Sequence, residues 1–235
     1  MVKDKTAHII MPVKDSMQTA EEAIRAIVAS GHSLTVYDDN STQETAERLD
    51  ALSQELGIRV IHIGQLIDTP SPNYRWVLSQ AQQECIAEDK HLVIVESDVI
   101  VKKDTIDRLL TAVLSRTIGL VAAVTTDANS KINFPYEYAQ RIKTDGVCKK
   151  RLSFCCTLLT LDFLRAYDFG QLDPTKNWYD VFLSHKSVQL GFDNILQVSN
   201  PVLHKPHSSR PWKQLKYTNP LLYYWRKLTQ GRDKI

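Results

Sequence analysis

The sequence predicts an α/β fold built on a mainly parallel sheet with helices on both faces, and three observations carry that expectation. Strand-like and helix-like stretches alternate through residues 7–124, the pattern of strands joined by crossover helices. Leu92-Val93-Ile94-Val95 sets four aliphatic residues in a row, which reads as a strand buried on both faces. Acids follow two of the strands directly, as Asp38-Asp39 and as Glu96-Ser97-Asp98. Parallel strands point their C-terminal ends the same way, so both acidic segments belong to the edge where open α/β sheets bind ligands.

Taken in order, the first strand is Ala7 to Met11, closed by Pro12. Thr19 with Glu22 forms a capping box for a helix whose apolar face is Ala20, Ala23, Ile24, Ile27 and Val28, ended by Gly31. Leu34 to Tyr37 is the second strand. Ser41 with Glu44 repeats the capping box and opens a helix bearing Ala46, Leu49 and Leu52. A third strand spans Ile58 to Ile63, followed by a Pro-containing loop and a helix with Tyr74, Val77, Leu78, Ala81 and Cys85 on one face. After Leu92–Val101 come a helix from Thr105 and a strand near Ile118 to Val124. Residues 127–152 show no period and read as a long loop. Ser153 to Leu159 reads as a strand and Leu161 to Tyr167 as a short helix. Trp178-Tyr179-Asp180 opens a helix ending at Gly191, and a strand around Ile195 to Val198 leads to His204.

At 235 residues, 43% hydrophobic and 24% charged, the chain fits one sizeable domain. Its halves are expected to be 1–124 on the ligand side and 125–207 opposite, followed by an extension over 208–235. The net charge of +2 conceals an asymmetry: residues 205–235 hold eight of the 29 Lys and Arg and one of the 27 acids, net +7, leaving −5 on the rest. That tail mixes bases with Trp212, Tyr217, Tyr223, Tyr224 and Trp225, a composition suited either to an anionic membrane surface or to docking on the domain. Nucleic acid is not an expected partner, since no binding module accompanies the charge. Cys85, Cys148, Cys155 and Cys156 lack metal-ligand spacing and read as reduced core thiols. With no signal-like or membrane-spanning run, the expected location is cytoplasmic, with the tail allowing peripheral contact with the membrane.

Carboxylates gathered at one sheet edge repel one another unless a cation is present, and two oxygen ligands completed by waters and a diphosphate suit Mg²⁺ or Mn²⁺. Asp98 is the residue expected to hold it. A separate carboxylate is then needed to take a proton from an incoming hydroxyl, and Asp180 is the candidate.

The order of motifs resembles that of family 2 glycosyltransferases. Ile9-Ile10-Met11-Pro12-Val13-Lys14-Asp15 looks like their opening strand, Tyr37-Asp38-Asp39-Asn40-Ser41-Thr42 like their Asp-Asp-x-Ser segment, and Glu96-Ser97-Asp98 like their Asp-x-Asp motif. Tyr179-Asp180 with Gly191-Phe192 resembles the Glu-Asp motif and its downstream Gly-aromatic, and His204 falls where many members carry a metal-binding histidine. The likeness covers about residues 7–207.

The resemblance implies a GT-A fold, Rossmann-like in its first half, and inverting transfer from a nucleotide diphosphate sugar, with UDP-sugars foremost, to a saccharide or lipid-linked saccharide. Pro12, Val13 and Asp39 would meet the base, with Asp38 close by. Glu96 and Ser97 would lie at the ribose, Asp98 and His204 at the metal, Asp180 at the acceptor hydroxyl as base, and Trp178 and Tyr179 on the acceptor side. Glu96 stands where the pattern has Asp, Tyr179 where it has Glu, and Ala81 near the place of an expected Asn. These departures leave a second reading, a catalytically silent relative that binds sugar nucleotide or glycan. A nucleotidyltransferase is disfavoured because no glycine follows Met11 until Gly31, so the Gly-rich phosphate loop is missing.

Overall fold

The computed structural model describes residues 7–113, 117–176, 178–205 and 219–229. The chain divides into two units, Met1–Lys205 and Pro206–Ile235. In the first, strands β1 (Ala7–Val13), β2 (Thr35–Asp38), β3 (Arg59–His62), β4 (His91–Val95), β5 (Val99–Ile100), β6 (Ile118–Thr126), β7 (Gly146–Val147), β8 (Cys156–Leu159) and β9 (Asp193–His204) form one sheet. Its helices are α1 (Met17–Ala29), α2 (Gln43–Leu56), α3 (Tyr74–Ala87), α4 (Thr105–Thr111), α5 (Leu161–Ala166) and α6 (Tyr179–Gln189).

The strand order is β3-β2-β1-β4-β8-β6-β9-β5, with β7 pairing β9. β3, β2, β1 and β4 run parallel, as do β6 and β9, whereas β8 enters antiparallel between β4 and β6. The expected alternation therefore holds through β4, and the sheet becomes mixed beyond it.

Side-chain alternation along the strands fills both faces. Val93 and Val95 of β4 join α1, α2 and α4 in one core, through Ile24, Ile27, Leu49, Leu52, Ile106 and Leu109. Leu92 and Ile94 join α3, α5 and α6 in the other, through Val77, Leu78, Ala81, Phe163, Leu164 and Leu183. This is the doubly covered strand that its continuous apolar run implied. Truncation of Ile94, fully buried at the centre of the sheet, to Ala is expected to cost about 2–5 kcal/mol, read as a lower urea midpoint with an unchanged slope.

Two helix starts differ from expectation. α1 begins at Met17 with Ser16 as its cap residue, and Thr19 lies in its first turn, where its hydroxyl donates back to the Ser16 carbonyl at 3.2 Å. α2 is capped at Thr42, not Ser41. In both places a tertiary partner displaces the local box: the Ser16 hydroxyl bonds that of Ser97, and Asp15 Oδ1 accepts from Thr42 N at 2.7 Å. Gly31 and Gly57 do follow α1 and α2 with φ of +88° and +67°, the left-handed turn that glycine adopts without strain. Pro12 lies inside β1 and does not close it, beyond the last residue paired with β4, Ile10.

The second unit contains α7 (Pro220–Thr229), whose start is capped by Asn219 Oδ1 accepting from Leu222 N at 3.1 Å. Trp212 and Tyr217 lie outside the described residues. No helix among the described residues is long and apolar enough to cross a membrane.

Candidate active site

The site is built at the C-terminal ends of β1, β2 and β4. After Val95 the chain turns through Glu96-Ser97-Asp98, closed by Val99 N donating to the Glu96 carbonyl at 3.1 Å, and three neighbours hold it. Glu96 N donates to the Cys155 carbonyl at 3.0 Å and Lys205 N to the Asp98 carbonyl at 2.8 Å, while the Ser97 hydroxyl lies 2.9 Å from that of Ser16. Pairing of Val99 with His204 across β5 and β9 then carries the imidazole to the acid turn. His204 Nε2 stands 3.4 Å from Asp98 Oδ2, both side chains under one tenth exposed.

Charge in this enclosure is strongly coupled. Burial, and then the charge of Asp98, pushes Glu96 toward its neutral form, while His204 pulls the other way. Burial opposes a charge on His204, but its bond to Asp98 and the charges of Asp98 and Glu96 outweigh that and hold its pKa above the ordinary value. Asp180, in the first turn of α6, is raised by burial against the pull of the Val181 N–H and of Arg151. Glu96, Asp98 and His204 thus act on one another, and Glu96 also feels the charge of Asp180.

Asp38 and Asp39 share the edge without joining that cluster. Asp38 accepts from Ser41 N at 3.1 Å and contacts His62 Nδ1 at 2.7 Å, and His62 Nε2 reaches Asp50 at 3.0 Å. This trio lines a cavity of about 370 Å³ with Asn40, Gln43 and Gly64. Asp39 accepts from the Ser71 hydroxyl at 2.7 Å and from Asn73 N and Nδ2 at 2.9 and 2.7 Å, tying the loop before α3 to β2. The expectation of four mutually repelling carboxylates is thereby corrected to two pairs with different neighbours. Since Asp39→Ala leaves the buried Asn73 backbone N–H without its acceptor, while Asn73 Nδ2 keeps the Thr69 carbonyl, it is expected to destabilise the fold by about 2 kcal/mol, read by thermal unfolding.

Pro12 and Val13 lie at the end of β1, and Asp39 N donates to the Val13 carbonyl at 2.9 Å. Trp178 directly precedes α6. Tyr179 is 5% exposed and its hydroxyl donates to the Asp173 carbonyl at 3.0 Å, so this side chain packs in the domain interior.

Four further residues neighbour these groups. Cys155, read as core packing, donates its thiol to Glu96 Oε2 at 3.3 Å, and burial raises its pKa well above the usual thiol value. His62 ends β3 at the same edge as Asp38 and was concealed because the strand was expected to run on to Ile63. Asn73, the cap residue of α3, and Tyr74 fell within a loop and a helix face read only for packing. The rule that singled out the acids, polar residues at the C-terminal ends of parallel strands, would have found His62; for Cys155 the sequence carries no such signal.

Whether a divalent ion suits these groups can be tested on the donor set. An imidazole nitrogen and a carboxylate oxygen 3.4 Å apart span an edge compatible with two ligands each about 2.1 Å from one ion. Among the described residues no group of three or more His, Cys, Asp and Glu could hold a metal, so an ion on these two groups would need its other ligands from elsewhere, as Mg²⁺ and Mn²⁺ accept.

Residues 8–164 match the family model for glycosyl transferase family 2. Residues 1–349 of S. aureus TarS superpose with a TM-score of 0.65 at 14% identity, over 95% of this chain and 66% of that one. The same region in complex with UDP-GlcNAc gives 0.62 at 14% identity, over 87% and 60%. GalNAc-T7 with UDP, GalNAc and Mn²⁺ gives 0.55 at 15% identity, over 85% and 43%. The chain therefore spans just under two thirds, or less, of the length of these structures, and the likeness at such identities concerns the fold. No curated protein matches the sequence.

Proposed function

Because the chain belongs to glycosyltransferase family 2 and has the GT-A fold, we propose that it transfers a sugar, with inversion, from a nucleotide diphosphate sugar to a hydroxyl of a saccharide or lipid-linked saccharide. The observation that carries this reading is the buried Asp98–His204 pair, with half-buried Glu96 beside it, at the ligand-binding edge of the sheet. UDP is the nucleotide to test first, as both TarS and GalNAc-T7 were solved with UDP-containing ligands.

Pro12, Val13 and Asp39 line the base side, with Asp38 behind them, and Glu96 and Ser97 face the ribose. Asp98 and His204 would hold Mn²⁺ or Mg²⁺, which when bound neutralises charge developing on the departing diphosphate. Asp180 accepts the proton of the acceptor hydroxyl. The acceptor oxygen then bonds the anomeric carbon from the face opposite the diphosphate, whose C–O bond breaks, and inversion follows. Partial burial helps this base: it raises the pKa of Asp180, giving a carboxylate more avid for a proton. Trp178 borders the acceptor side. The basic, aromatic extension is assigned to an anionic surface presenting a lipid-linked acceptor.

Calorimetry with UDP, GDP and dTDP, with and without Mn²⁺, tests the donor half. Nucleotide binding strengthened by Mn²⁺ is the expected result, and no binding of any of the three overturns the reading.

A further inference from the structure

His62 ends β3 between two carboxylates. Its Nδ1 lies 2.7 Å from Oδ2 of the buried Asp38, and its Nε2 lies 3.0 Å from Oδ1 of Asp50, an exposed residue of α2. Ionised carboxylates only accept hydrogen bonds, so a ring that bonds both carries a proton on each nitrogen and is the imidazolium. A neutral imidazole has a single N–H and serves only one of them. Burial opposes the charge, but the bonds to Asp38 and Asp50 and the charges of both acids outweigh it and hold the pKa of His62 above the ordinary value. The other titratable groups lining the same cavity are all acidic: Asp38 on β2, and Glu47 and Asp50 on α2. Nearby cations are engaged elsewhere, Lys14 with Asp15 and the Asn40 carbonyl, and Arg59 with Glu84.

This bridge acts on the turn that follows β2. The second oxygen of Asp38 accepts from Ser41 N at 3.1 Å, closing Asp38-Asp39-Asn40-Ser41 around Asn40, whose φ of +55° is a left-handed conformation that a residue with a side chain keeps where its surroundings hold it. Within the turn, Asp39 N donates to the Val13 carbonyl at 2.9 Å. What fixes Asp38 therefore also sets Asp39 against the end of β1. The consequence rests on the reading of the site given above, in which Val13 and Asp39 line the base of the nucleotide. We propose that His62 is a positioning residue for the nucleotide: as a cation bridging Asp38 to Asp50, it holds the Asp38–Ser41 turn in the shape that receives the base.

UDP affinity, measured by calorimetry with Mn²⁺ over a pH series, tests this in wild type, His62→Gln and Asp50→Asn. The bridging cation is complete below the raised pKa of His62 and is lost as pH rises through it, so wild-type affinity should weaken about tenfold across that window. His62→Gln should bind UDP about tenfold more weakly at the acidic end and lack this fall. In Asp50→Asn the ring keeps Asp38 but loses one of the two charges that favour its proton, so the fall should move to lower pH. Titration of UDP itself is common to all three proteins and cancels in their comparison. A pH profile shared by wild type and His62→Gln, or a lower unfolding temperature in His62→Gln with UDP affinity intact, overturns the assignment of His62 while leaving the proposed function standing. An unmoved midpoint in Asp50→Asn, altered only at an exposed residue, overturns it even where His62→Gln does not fold. Failure of the wild type to bind UDP at any pH overturns both proposals together.

Discussion

Asp98→Ala is expected to abolish the dependence of nucleotide affinity on Mn²⁺, with at least about a hundredfold loss at saturating metal. Removal of an outer partner of a metal ligand typically costs 10–100-fold, and Asp98 would be a ligand itself. The backbone around it is secured without the side chain, by Lys205 N on the Asp98 carbonyl and by the pairing of Val99 with His204. The acid turn should therefore persist in the variant, and far-UV circular dichroism checks that it folds. His204→Ala should weaken the Mn²⁺ effect less, because a neutral imidazole contributes a bond but no charge. Calorimetry of UDP with a Mn²⁺ series reads both variants. A Mn²⁺ enhancement that survives in Asp98→Ala would remove Asp98 from the metal.

The parts of the fold legible in the sequence are those governed by local pattern. Four consecutive aliphatics at Leu92–Val95 required cover on both faces, and the two cores supply it. Gly31 ends α1 because its left-handed φ is a local demand on the backbone. What could not be read depended on contacts distant in sequence. β8 reverses the sheet direction between β4 and β6, and nothing in Cys156–Leu159 encodes its neighbours. The caps of α1 and α2 moved from Thr19 and Ser41 for a similar reason, since Ser97 and Asp15 bind the chain there.

The candidate site divides along the same line. Asp98 stood out by its place after a buried strand, and its nearness to His204 follows from β5 and β9 pairing. Glu96 differs by one methylene from the Asp of the motif it resembles, and its Oε2 lies 3.3 Å from the Cys155 thiol. A cysteine that looked like packing is thus the hydrogen-bond partner of the residue that departs from the pattern, and only the folded chain brings them together. Asp38 and Asp39 were legible as residues of the edge but not in their attachments, which run to His62, Ser71 and Asn73.

Replacing Asp180 by Asn should lower kcat by about 10²–10⁴-fold while leaving donor affinity within a factor of about two. Asn is nearly isosteric, and its side-chain oxygen can still accept from Val181 N, as Asp180 Oδ1 does at 2.8 Å, so the start of α6 is preserved. What is lost is the ability to take a proton. The pH profile provides a second signature. Burial raises the pKa of Asp180, so the neutral acid persists to higher pH than for an exposed carboxylate, and only the ionised form can act as base. Wild-type turnover should accordingly fall as pH drops through that raised pKa, and the residual turnover of Asp180→Asn should lack this acidic limb. A variant retaining more than about a tenth of wild-type kcat would exclude Asp180 as the base. Wild-type protein that binds UDP-sugar with Mn²⁺ yet transfers to no saccharide or lipid-linked acceptor would favour the silent, sugar-nucleotide-binding relative. The two readings part at this carboxylate because a binding protein has no use for a carboxylate made more basic by its surroundings, whereas transfer to a hydroxyl cannot proceed without somewhere for its proton to go.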